Sequence, residues 1–309
     1  MLKKNGFTFA RFLMESFTSF GAFDKTMPIL NLLTIKHALT MGANELKQSD
    51  TPELDCELIL LHVLAAHRNI LFTDPDQLLT IEQQKTFMSL MARRKKGEPV
   101  AYIIGAQGFW DLDLKVSEHT LIPRPDTESL VEWVLDQGLS PEHILDLGTG
   151  TGALALSLAS ELPHAHVIGL DVVAEAVALA KENQVRNRIQ NAEFVVSSWF
   201  EQLASNKTFD LIVSNPPYID SQDAHLSQGD VRFEPESALI ADEQGYSDLF
   251  FIAEHAKSFL TQGGTLLMEH GWQQAERVQR KLKELGYSDV GSGKDYGGNE
   301  RFTFGVLNN

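Results

Sequence analysis

The chain has one cysteine, Cys56, in 309 residues. No intrachain disulfide framework and no Cys-pair zinc site can be built from a single thiol, which suits a reducing compartment. Nowhere is there a run of about 18 apolar residues, so no segment is expected to cross a bilayer as a helix. Ten histidines are scattered without a His-Glu-x-x-His pattern, which leaves metal catalysis without a recognisable ligand set. Positive charge is scarce too: 26 Lys and Arg face 42 Asp and Glu, a formal net charge of -16. A protein whose main work is gripping a polyanion needs the opposite balance. Internal repeats and low-complexity tracts are absent.

What is present is ordinary globular composition, with 43% hydrophobic and 22% charged residues. Its length predicts about two domains, each with a core of its own. The charge is unevenly shared: residues 1–122 carry 13 basic and 14 acidic side chains, residues 123–309 carry 13 and 28. A boundary is expected near Ile122-Pro123-Arg124-Pro125, where two prolines bias their neighbours away from helix.

Four regions follow from the pattern. Residues 1–26 carry Lys3, Lys4 and several phenylalanines, but Arg11 and Glu15 break the apolar run; they are expected to be a poorly ordered extension. Residues 27–97 read as a small helical domain, with Leu54, Leu58, Leu61 and Ala65 at helical spacing after Thr51-Pro52 and a second such segment through Phe87, Leu90 and Met91. Cys56 falls inside the first of these and is expected to be a buried structural thiol. Arg93-Arg94-Lys95-Lys96 before Gly97 reads as the complement and cap of a helix C-terminus. Residues 98–122 read as a β-hairpin linker.

From 123 to 309, short apolar runs at 143–147, 166–171, 192–198, 209–215 and 264–270 alternate with helical stretches such as 154–160, 174–184 and 273–285. That alternation predicts an α/β fold, a doubly wound and mostly parallel sheet. The closing run 302–307 after Gly297-Gly298-Asn299 predicts a terminal antiparallel hairpin.

Two motifs carry chemistry. Asp146-Leu147-Gly148-Thr149-Gly150-Thr151-Gly152-Ala153 is a strand running into a glycine turn and a helix, where the backbone can approach a ligand closely and unpaired N–H groups meet negative charge. Asp171 lies 21 residues beyond Gly150, at the end of the next strand, suited to accept hydrogen bonds from both hydroxyls of a ribose. This spacing fits NAD and S-adenosylmethionine equally. The second motif, Asn215-Pro216-Pro217-Tyr218, follows the strand Phe209 to Ser214. Two prolines force the chain off the sheet at its carboxyl edge. There the Asn215 side-chain oxygen and the Pro216 carbonyl can accept both protons of a planar NH2 group, with Tyr218 offering an aromatic face. Such a nitrogen is a poor nucleophile and gains from being oriented toward an electrophile. The sulfonium methyl of S-adenosylmethionine is the electrophile that fits; a dehydrogenase has no use for the arrangement.

Asn-Pro-Pro-Tyr after a Gly-x-Gly-x-Gly strand resembles the amino-methyltransferases that act on adenine, cytosine or glutamine. With Thr120-Leu121-Ile122-Pro123-Arg124-Pro125-Asp126-Thr127-Glu128 and Gly229-Asp230-Val231-Arg232-Phe233-Glu234-Pro235, the chain from about 28 to 307 resembles the HemK/PrmC family of release factor glutamine methyltransferases. The resemblance implies a cytoplasmic, monomeric enzyme that methylates the Gln of the Gly-Gly-Gln motif in peptide chain release factors, with no nucleic-acid or membrane partner. It implies S-adenosyl-L-methionine on Gly148, Thr149, Gly150, Thr151, Gly152 and Asp171, with Trp199 against adenine and Asn215 at the junction with the substrate. Asn215, Pro216, Pro217 and Tyr218 would hold the glutamine amide, with Asn215, Pro216 and Tyr218 catalytic. A glutamine methyltransferase acting on a ribosomal protein and an adenine-N6 nucleic-acid methyltransferase share the tetrapeptide. The -15 carried by residues 123–309 disfavours the latter. Arg232 and Glu234 have no assignable role at this level.

Overall fold

The computed structural model describes residues 32–308, so the expectation for residues 1–26 lies outside the described residues. A sheet of seven strands organises the larger part: β3 (His143–Leu147), β4 (His166–Asp171), β5 (Ala192–Val196), β6 (Phe209–Ser214), β7 (Leu260–Glu269), β8 (Ser288–Lys294) and β9 (Glu300–Val306). Their order is β5-β4-β3-β6-β7-β9-β8; the first five are parallel, and β9 runs antiparallel to both β7 and β8. This is the expected α/β sheet with its terminal antiparallel pair. From β3 the chain winds outward to β4 and β5, then returns to β6 on the other side. That reversal opens a crevice at the carboxyl ends of β3 and β6, where open α/β sheets bind ligands.

At the centre of the sheet both faces are buried, which is why β3, β4 and β6 read as nearly continuous apolar runs. Ile144, Val167, Leu211, Val213 and Leu267 point into one core, shared with the helices α6 (Pro125–Asp136) and α7 (Ala153–Glu161). Leu145, Leu147, Ile168, Leu170, Ile212, Leu266 and Met268 point into the other, shared with α9 (Ser247–His255) and α10 (Ala275–Glu284). The helix α8 (Ala174–Arg186) buries Val177 and Ala180 beside the first core. Helix α6 was hidden from the sequence reading by its prolines. Pro125 occupies the first helical turn, where a missing N–H costs nothing, and Asp126 and Glu128 complement the helix N-terminus.

The amino-terminal part is helical: α1 (Ile35–Glu45), α2 (Pro52–Leu64), the single turn α3 (Ile70–Thr73) and α4 (Ile81–Lys95). Thr80 and Gln83 form a capping box that starts α4. Cys56 is buried, its thiol near the carbonyls of Ala38 and Leu39, and burial pushes its pKa up to about 12. It is a structural thiol. α1 reaches α2 closely through Gly42, where a Cβ would overlap the Cys56 sulfur and stand 3.0 Å from Met91 and 3.2 Å from Phe87. Gly42→Ala gains about 1 kcal/mol of helix propensity. Overpacking a closed core costs about 1 to 3 kcal/mol, so a net loss of about 1 kcal/mol is expected. A lowered midpoint in urea titration, with the slope unchanged, checks this.

Between the two parts the structure differs from the hairpin expected over 98–122. Val100–Ile104 forms a short helix, α5, with Pro99 at its N-cap and Gly105 in the left-handed conformation at its C-cap. The hairpin proper is β1 (Ala106–Phe109) with β2 (Leu112–Lys115). Asparagines of α8 take the place of a third strand on β2. Asn183 accepts from Lys115 N at 2.7 Å and donates to Lys115 O at 3.0 Å, while Asn187 does the same at Asp113. Asn183 also donates to the Thr151 carbonyl at 2.9 Å, so one buried amide ties the hairpin to the glycine turn.

The basic run at the end of α4 does more than complement that helix. Arg94 donates to the Glu98 carbonyl and forms ion pairs with Asp55 at 2.6 Å and Asp230 at 2.7 Å. Arg232 donates to the Lys96 carbonyl at 3.0 Å. Glu234, fully buried, pairs with Arg124 and accepts from Ile122 N at 2.9 Å. The two residues left unassigned by sequence thus fasten the segment after β6 to the helical part and to the Pro-Arg-Pro turn.

Candidate active site

The crevice at the reversal point is a cavity of about 290 Å³. Gly148, Thr149, Gly150 and Thr151 form one wall, Asp171 and Trp199 a second, and Asn215 and Pro217 a third, with Arg124 and Thr127 from the start of α6 alongside. Three separate sequence motifs meet here because β3, β4 and β6 are neighbours in the sheet and end at the same edge. Leu147 pairs with Ser214, so the next residues, Gly148 and Asn215, leave adjacent strands side by side.

The glycine turn is held by its neighbours. Gly148 N and Thr149 N both donate to the Leu170 carbonyl at 2.9 Å. Asp146, fully buried below the turn, accepts from Thr149 Oγ1 at 2.6 Å and from Ala155 N at 3.2 Å; burial pushes its pKa up to about 7. Gly148 and Gly150 have φ of 71° and 54°, a region that costs most side chains energy. A Cβ on Gly148 would stand 3.8 Å from the Trp199 ring and 4.0 Å from the Asn215 carbonyl, in the space between them. Bare backbone keeps that space open.

Asp171 accepts from Gly150 N through one oxygen and from Val173 N through the other, both at 2.9 Å. Burial raises its pKa, and these bonds work against the rise. A carboxylate has about four acceptor positions, so about two stay free for hydroxyl donors in the cavity. Trp199 is held at φ 45°, costly for a bulky residue, by a hydrogen bond of 2.9 Å from Ser197 Oγ to its carbonyl. From there the indole lines the cavity. A flat ring, a ribose and a charged tail fit this set of an aromatic face, a hydroxyl acceptor and an open glycine backbone.

Three expected residues stand outside the cavity wall. Gly152 faces Leu156, Ala180 and Phe194 in the core and starts α7. Pro216 is buried behind the wall. Tyr218 turns inward and donates its hydroxyl to Glu269 Oε1 at 3.1 Å. The sequence reading missed Thr127, Asp146 and Glu269. Asp146 and Glu269 each put a charge at the end of an apolar strand run, a signal present in Ile144 to Leu147 and Leu266 to His270. Thr127 carries no signal of its own.

Residues 140–299 match the family model described as a methyltransferase domain, and residues 37–105 match the one described as the PrmC N-terminal domain. A release factor glutamine methyltransferase of Aliivibrio fischeri is 52% identical over 262 residues, covering 84% of this chain and 92% of that protein. The chain belongs to this family. The protein of the same name from Vibrio cholerae is 52% identical over 276 residues, covering 88% of this chain and 96% of its own length. A crystal structure of a methyltransferase from Pyrococcus furiosus shares the fold, with a TM-score of 0.50 at 20% identity over 72% of this chain and 99% of that one. Like its family, the chain is a methyltransferase that uses S-adenosyl-L-methionine, and the cavity described above has the make-up that ligand requires. No helix among the described residues is long and apolar enough to cross a membrane.

Proposed function

We propose that the enzyme methylates the side-chain amide nitrogen of the glutamine in the Gly-Gly-Gln motif of peptide chain release factors. The observation that carries this reading is the side-by-side exit of Gly148 and Asn215, with the Asn215 carbonyl 4.0 Å from where a Gly148 Cβ would lie. A ligand on the glycine turn and an amide on Asn215 are then in contact range. The names of the relatives supply the substrate class.

S-adenosyl-L-methionine supplies an electrophilic methyl group. Its adenosine would lie between Trp199 and Asp171, with the glycine turn beneath. Asn215 Oδ1 and the Pro216 carbonyl accept the two amide protons of the substrate, which turns the nitrogen lone pair toward the methyl group. The same two acceptors stabilise the positive charge that grows on nitrogen during transfer. The methylated nitrogen sheds its proton to solvent without a dedicated base.

The helical part, residues 32–97 of the described chain, is the docking unit for the body of the factor, and residues 98–122 link it to the methyltransferase part. A soluble factor as substrate fits a cytoplasmic monomer. Incubation with an intact release factor and isotopically labelled S-adenosylmethionine tests the reading: label is expected in the wild-type factor and absent from a factor whose Gly-Gly-Gln glutamine is replaced. Equal labelling of both factors would defeat it.

A further inference from the structure

Three carboxyl groups line the cavity, and only two of them have partners. Asp146 is bonded to Thr149 and Ala155, and Asp171 receives Gly150 N and Val173 N. The third is Asp248, half-buried in the first turn of α9. Among the described residues its carboxylate makes no hydrogen bond and no ion pair; burial and the like charge of Asp242 raise its pKa, with no donor to offset them. Arg124, the guanidinium in the cavity wall, is taken up by Glu234. A partly buried carboxylate without a donor is costly, and it faces the space that the ligand fills.

The position of Asp248 selects the donor. Asp248, Phe251 and His255 lie on one flank of α9, three and four residues apart. That flank packs along Trp199 and Phe200: the Phe251 ring centroid is 6.4 Å from that of Trp199, and His255 stacks with Phe200 at 6.5 Å. Phe251 and His255 stack on each other at 4.0 Å, which makes the flank one surface. Asp248, one turn nearer the helix start, therefore reaches the cavity beside Trp199.

An adenine against Trp199 carries a 6-amino group at its edge. That group has two N–H donors and a lone pair drawn into the ring, so an acceptor-only carboxylate matches it. A 6-oxo purine would set its carbonyl oxygen against the same negative charge. Ser198, beside Trp199 in the wall, can donate as well as accept and does not make that distinction. We propose that Asp248 accepts a hydrogen bond from the 6-amino group of the cofactor's adenine and is the residue that selects adenine over purines lacking this amine. This rests on the placement of the adenine against Trp199.

Calorimetric titration with S-adenosylhomocysteine, and with its analogue bearing hydrogen in place of the 6-amino group, tests the assignment without turnover. Wild type is expected to bind the amino ligand at least about tenfold more tightly than the deamino one, the weight of one hydrogen bond to a charged group. Asp248→Ala should weaken the amino ligand by at least about tenfold and leave the deamino ligand within about threefold of wild type, so that the preference collapses. Retained affinity for the deamino ligand also reports an intact cavity. Asp248→Asn, nearly isosteric, serves if the alanine variant does not fold: its uncharged acceptor should keep less than about a third of the preference. A wild-type enzyme without preference, or a variant that keeps the whole of it, overturns the proposal. Equal weakening of both ligands by Asp248→Ala places the carboxylate on another group of the cofactor, and unchanged binding of both places it on the substrate; either result overturns the assignment. Trp199→Ala is expected to weaken both ligands by about tenfold through lost stacking. If that variant binds both as wild type does, the adenine does not lie on Trp199 and this inference falls with that reading. A weakened Trp199→Ala alongside an undiminished preference in Asp248→Ala overturns the Asp248 assignment alone. No release factor enters these titrations, so they stand apart from the choice of substrate.

Discussion

Asn215→Ala is expected to lower kcat by about two to three orders of magnitude while changing cofactor affinity by less than about threefold, as for loss of a hydrogen bond made chiefly in the transition state. The residue leaves β6 beside the glycine turn, and its amide bonds only Thr127 in the described structure. Truncation therefore removes one of two acceptors for the substrate amide and leaves the turn, Asp146 and Asp171 in place. Single-turnover methyl transfer together with calorimetric titration of S-adenosylmethionine separates the two quantities. Equal losses in both would mean that Asn215 chiefly holds the cofactor.

Asp171→Ala should act on the other half of the site, weakening S-adenosylmethionine binding by about a hundredfold or more. Two effects combine in that figure. A carboxylate bonded to ribose hydroxyls contributes about 1.5 to 3 kcal/mol per hydrogen bond, and both bonds go at once. The same side chain also receives Gly150 N and Val173 N, so its removal frees the turn that carries the ligand. Asp171→Asn keeps one acceptor oxygen and should fall between wild type and alanine. A titration in which Asp171→Ala binds the cofactor as wild type does would remove Asp171 from the ribose site.

Much of this arrangement was legible in the sequence. The limits of β3 and β4 follow from short apolar runs because both faces of the sheet are buried there and no alternation is needed. The glycine turn and Asn215 announce themselves through backbone requirements: positive φ at Gly148 and Gly150, and two prolines that end a central strand. Trp199 was legible only through family resemblance, since nothing in Ser198-Trp199-Phe200 foretells a left-handed tryptophan. Helix α6 was obscured because proline reads as a breaker, although at a first helical turn it is favourable. Tyr218 was expected to face the ligand, yet it turns to Glu269, a residue 51 positions away whose proximity depends on the β6 and β7 pairing. Contacts of that range, including Asn183 with the hairpin and Arg94 with Asp230, leave no local pattern to read.

The charge asymmetry takes on a more specific meaning with the site in view. Of the acidic groups in the larger part, Asp146, Asp171, Glu234 and Glu269 are spent on holding the turn, the Pro-Arg-Pro segment and the Asn215 surroundings. Burial raises the pKa of all four. Each is therefore more readily protonated in the folded state than in the unfolded chain, and each contributes a loss of stability as pH rises through the range between its two values.

The most direct test is tandem mass spectrometry of an intact release factor after incubation with the enzyme and S-adenosylmethionine. A gain of one methyl group on the side chain of the glutamine in Gly-Gly-Gln, absent with Asn215→Ala, is the predicted result. A factor left unmodified at that glutamine, while the same enzyme methylates another protein or a nucleic acid, would contradict it.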